Sequence, residues 1–125
     1  MTGSRRGKIM SNHTPPSNLR IGAHTMEILF PYAFLERGDL AGQYDHNAKK
    51  IRICGTDAGG CPIHATAIAS TFLHEIIHAL DKNSGHRIFD DHEPALNALS
   101  EGLLQVLMDN PRLMEYLDSI CKEFR

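Results

Sequence analysis

The chain has no apolar run near the ~20 residues that a membrane-spanning helix requires, and its opening residues lack the hydrophobic region of a signal peptide. These absences exclude the membrane as the main setting and predict a cytoplasmic protein. No sign of charge dominates: the formal net charge is −2, and Lys and Arg are scattered without a basic stripe or an acidic block. Nucleic acid and anionic membrane are therefore not indicated as partners, while a protein, peptide or small molecule is. Cysteine is scarce. Cys54, Cys61 and Cys121 make an odd set of three without C-x-x-C spacing, which predicts free thiols rather than a disulfide framework. Cys54 and Cys61 bracket the flexible Gly55 to Gly60, but the two further ligands of any metal site built on them are not evident. Hydrophobic residues are nearly missing from residues 1–18, so that stretch predicts a disordered tail before a single domain over 19–125.

What the sequence does contain is Leu73-His74-Glu75-Ile76-Ile77-His78-Ala79-Leu80, an H-E-x-x-H pentad in a run free of Gly and Pro. On a helix, His74 and His78 project from one face and can direct both imidazoles at a single tetrahedral zinc ion. Glu75 sits one residue round, close to the metal's water but outside the ligand set, where a general base belongs. Zinc lowers the pKa of that water towards ~7, and Glu75 can accept its proton. Leu73, Ile76, Ile77 and Leu80 fill the remaining helix surface and predict a helix buried nearly all round.

Before the pentad, Leu19 to Phe30 alternates loosely and predicts extended chain bent near Gly22, a strand or hairpin that ends at Pro31; Tyr32 to Asp39 is a short helix or a loop. Gly42 to Asp45 and Lys50 to Cys54 flank His46-Asn47-Ala48 and predict two strands around a tight turn, with Ile51 and Ile53 inward. The expected fold is α+β: a small antiparallel sheet of three strands on the H-E-x-x-H helix, plus two further helices. The first helix stops near Gly85, the second starts at Glu93-Pro94, and the third follows Asp109-Asn110-Pro111. Leu96, Leu99, Leu103 and Leu107 are the predicted inner stripe of the second; Leu113, Leu117, Ile120 and Phe124 that of the third.

A catalytic zinc site needs a third protein ligand. Glu93, Asn97 and Glu101 lie four apart on one helical face, and Glu93 with Glu101 spans ~12 Å, too far for one metal. Glu93, at the start of its helix, is the expected ligand, with His92, Asp91 and Glu101 as alternatives. Asn97 is a candidate to bond a ligand imidazole from behind, and Asp81 either orients an imidazole or faces water. His64 and His86 are ordinary loop histidines or oxyanion donors, and Tyr44 stands with them.

In these segments, together with Leu40 to Asp45 and the block from Asn97 to Leu107 that ends in Asp109-Asn110-Pro111, the chain resembles the small, phage- and prophage-borne, minimal gluzincin-like metalloproteins, distant relatives of the ImmA/IrrE-type peptidases. The resemblance implies a zincin-like unit with zinc on His74, His78 and Glu93, Glu75 as base, and a setting in the host cytoplasm if the protein is phage-encoded. It also implies a cleft strand whose edge receives an extended peptide, with Gly42, Gln43, Tyr44 and Asp45 as the place to look. The expected activity is zinc-dependent peptide hydrolysis; the alternative is a non-catalytic, zinc-stabilised interaction module. The region that holds a transition-state donor in larger zinc peptidases has no counterpart here.

Overall fold

A computed structural model describes residues 13–35 and 40–125. Much of the tail expected over residues 1–18, and the end of the Tyr32 to Asp39 segment, lie outside the described residues; Asn18 already belongs to a strand. The strands are β1 (Asn18–Ile21), β2 (His24–Leu29), β3 (Gly42–Asp45) and β4 (Lys50–Ile53), followed by α1 (Ala65–Ser84), α2 (Glu93–Asp109) and α3 (Pro111–Phe124). Among the described residues no helix is long and apolar enough to cross a membrane.

The architecture is α+β, but the sheet has four strands, in the order β1-β2-β4-β3, and is mixed rather than antiparallel. Of the strand or hairpin expected to start the domain, the hairpin is present: Gly22, at φ 59°, turns the chain so that Ile21 faces His24. β2 and β4 then pair in parallel, Ile28 opposite Ile51, while β3 returns antiparallel on the outer edge of β4. Alternation of apolar residues reports which side chains point inward and carries no information on which strands become neighbours. The expected turn between β3 and β4 is present, closed by the Ala48 amide donating to Asp45 Oδ1 at 3.0 Å.

Ile21, Met26, Ile28, Tyr44, Ile51 and Ile53 from the inner face of the sheet pack with Ala79 of α1, and Phe72 and Ile76 close the layer. Met26, Ile51 and Ile53 are fully buried, each contributing about 1.5–3 kcal/mol of transfer free energy. On the outer face Arg52 reaches Gln43 Oε1 and Asp45 Oδ2 and lies over the Tyr32 ring, so that face is polar.

α1 starts at His64, whose ring nitrogen accepts the Thr66 amide, and ends where Gly85, at φ 79°, returns its N–H to Lys82 O. It is not buried nearly all round: Glu75, Ala79 and Asp81 are its buried residues, and Leu80 is exposed. The expected leucine stripes also fail as core. Leu96 is buried, but Leu99, Leu103, Leu117, Ile120 and Phe124 are exposed, and α3 buries no residue at all. α1 packs on β3 and β4, α2 on α1, and α3 on α2 rather than on the sheet; helical spacing identifies an apolar face without supplying what covers it. All three cysteines are free.

Candidate metal centre

Helical spacing on α1 places the His74 and His78 rings side by side, 4.9 Å between centroids. The chain then loops through residues 85–92 and begins α2 with Glu93, whose carboxylate spans both rings: Oε2 lies 2.9 Å from His74 Nε2 and Oε1 2.6 Å from His78 Nε2. Two imidazole nitrogens and one carboxylate oxygen thus lie within 4.8 Å of one another, a group that could hold a metal ion. The donor set suits a borderline cation such as zinc. His78 Nδ1 is buried with no hydrogen-bond partner among the described residues, so that ring's polar interactions all lie on the side of Glu93.

The loop that returns Glu93 is tied down by Asp81. Its carboxylate accepts the amides of Ile88 at 2.7 Å and Phe89 at 2.8 Å, and its carbonyl accepts the Ser84 hydroxyl. Burial pushes this carboxyl up, but the two amides and the nearby His78 and His86 outweigh it and hold it below its ordinary value. Asp81 therefore neither bonds an imidazole nor faces water, contrary to both sequence expectations; it orders the segment leading to a candidate ligand. Arg87 and Asp91 in that segment have φ of 52° and 62°, left-handed conformations that side chains adopt at a cost, and the Asp81 bonds help to offset it.

Glu75 stands beside the three donors without being one of them. It is buried between α1 and β3, and its carboxyl is pushed up to about 7, first by burial and then by the charge of Glu93. The Tyr44 amide and the Lys82 charge act in the opposite direction. β3 passes so near that a β-carbon on Gly42 would stand 2.6 Å from Thr71 Cγ2 and 3.3 Å from Glu75 Cγ, so only glycine fits.

Gly42, Gln43 and Tyr44 line a cavity of about 460 Å³ that also holds His74, Glu75, His78 and Glu93. β3 is an edge strand, as the substrate-edge expectation requires. Asp45, included in that expectation, is instead turned to Arg52 and the β-turn; the Ala48 amide and then Arg52 hold its carboxyl low. An adjoining cavity of about 430 Å³ runs along α1 towards Asn97, Ser100 and Glu101. Asn97 lines this cavity but, among the described residues, its side chain bonds neither imidazole. Glu101 lines it too, outside the three-donor group. His64 caps α1, His92 precedes α2, His86 is an exposed loop residue, and none of them lines either cavity. Tyr44 places its hydroxyl 2.9 Å from His46 Nδ1. Lys82, four residues beyond His78, lines the first cavity and was not singled out from sequence; its signal was the continuation of the same i, i+4 row.

Comparison with protein-family models, with curated proteins and with solved structures found no match to this chain.

Proposed function

We propose that the protein is a zinc-dependent peptidase of gluzincin-like type, with His74, His78 and Glu93 holding the metal and Glu75 as general base. The observation that carries this reading is the placement of a buried carboxyl, pushed up to about 7, directly beside a three-donor group that excludes it. Bound zinc would polarise a carbonyl and make water acidic enough to react at neutral pH. Glu75 takes the proton of the attacking water and delivers it to the leaving amine, a role that its position beside the three donors but outside them allows. The Tyr44 amide, bonded to Glu75, favours the ionised form that a base must take. The unpaired edge of β3 offers main-chain groups to an extended peptide, and Gly42 keeps that edge close to the base.

A zinc-loaded sample offered a mixture of denatured proteins tests this reading. Cleavage is expected in wild type and loss of ~10² to 10⁴ in rate in Glu75→Gln with zinc retained. No cleavage by wild type overturns it. The apolar residues exposed on α2 and α3, among them Leu99, Leu117 and Phe124, favour a second reading, a zinc-stabilised module that binds another protein.

A further inference from the structure

His74, His78 and Lys82 lie on one row of α1, and side chains on a helix lean towards its N-terminus, so the Lys82 stem is directed back over the turn that carries His78. Lys82 is partly buried and lines the same 460 Å³ cavity as Glu75, His78 and Glu93. Its neighbours are engaged: Lys49 donates to Asn83 Oδ1 at 3.3 Å, and Arg87 pairs with Asp90 at 3.4 Å. Among the described residues no carboxylate lies at ion-pair distance from the Lys82 ammonium. Glu75 and Glu93 share the cavity and the Lys82 charge reaches Glu75, but neither carboxylate pairs with the ammonium directly, which leaves its donors open to an anion that enters the cleft.

The two ends of the cleft differ in sign. Glu101, beside the N-terminal half of α1, lines the cavity on one side of the three-donor group; Lys82, at the C-terminal end of α1, lines the cavity on the other. The positive end extends beyond Lys82, since burial and then the charges of Lys49, Lys82, Arg87 and His24 hold the His46 imidazole below its ordinary value.

We propose that Lys82 forms a subsite for a carboxylate of the bound peptide, next to the bond that is cut, so that the preferred substrates are acidic or end at that position. The proposal rests on the cleft being a peptide site, as argued above. Lys82 is a specificity residue here: it meets the substrate's anion and takes no part in proton transfer.

The test measures binding, by calorimetry, to zinc-loaded Glu75→Gln protein, which holds peptide without cutting it. Three probes are used: acetyl-Ala-Ala-Ala-amide, acetyl-Ala-Ala-Glu-amide, and acetyl-Ala-Ala-Ala with a free carboxylate. One or both anionic probes are expected to bind about five- to tenfold more tightly than the neutral one, less so at high salt. Which of the two does so separates a side-chain carboxylate from a chain terminus. Adding Lys82→Met should abolish the preference, and Lys82→Arg should restore it. Equal binding of all three probes overturns the proposal, as does a preference that survives Lys82→Met, which would put the carboxylate on the metal. Wild type that cleaves nothing while the binding order holds overturns the hydrolytic reading and supports the subsite.

Discussion

Glu93 spans both imidazoles, its Oε1 2.6 Å from His78 Nε2, although fifteen positions of sequence separate it from that ring. The closeness depends on the loop between α1 and α2, and that loop depends on Asp81. Replacing Asp81 with alanine frees the amides of Ile88 and Phe89 and releases the segment that sets the start of α2. Asp81→Ala should weaken zinc by about 10–100-fold, the range typical of residues that support ligands, while the sheet core stays folded. Chelator competition measures the affinity, and amide exchange at Ile88 and Phe89 should accelerate in the same variant.

Gly42→Ala places a methyl 2.6 Å from Thr71 Cγ2 and 3.2 Å from the Arg52 carbonyl, so β3 must shift away from α1. The expected loss is about 1–3 kcal/mol, the usual cost of overpacking, read by chemical denaturation. Thr71→Ala removes the nearest obstacle and should recover part of it in the double variant. Additive losses would mean that the two residues do not meet.

The raised Glu75 carboxyl makes the metal-free protein sensitive to pH. Its folded value of about 7 lies above the ordinary 4.5, so the folded state keeps a proton that the unfolded chain releases. Stability from this group is complete below pH 4.5 and is lost as pH rises to about 7, by about 3 kcal/mol in all. Denaturant midpoints of chelator-treated protein should fall across that window in wild type, relative to Glu75→Gln. Parallel profiles for the two proteins would show that Glu75 is solvated.

Much of this was legible in the sequence, for identifiable reasons. The H-E-x-x-H spacing needs only a helix, and the Gly85 and Pro94 signals bound the helices that bring Glu93 back to it. Strand pairing was not legible, because alternation in Lys50–Ile53 is the same whether β4 pairs with β2 in parallel or antiparallel fashion. Nor was the role of Asp81, which depends on where two loop amides arrive seven and eight residues later. α3 misled for the opposite reason: its apolar residues keep helical spacing, yet among the described residues Leu117, Ile120 and Phe124 stay exposed and Leu113 is only half-buried.

That exposure carries its own prediction. Ending the chain after Asn110 removes a helix that buries no residue, so zinc affinity should change less than twofold and the denaturant midpoint only slightly. Loss of zinc on truncation would show that α3 supports the site.

The central claim is that His74, His78 and Glu93 form one metal site with Glu75 outside it, and metal content with zinc affinity in four variants tests it most directly. His74→Ala and Glu93→Ala should lose stoichiometric zinc or bind it far more weakly, because ligand loss leaves an incomplete set of donors. Glu101→Ala and Glu75→Gln should retain one zinc per chain with affinity near wild type, since neither residue belongs to the three-donor group. Full zinc in Glu93→Ala, or its loss in Glu75→Gln, would contradict the account.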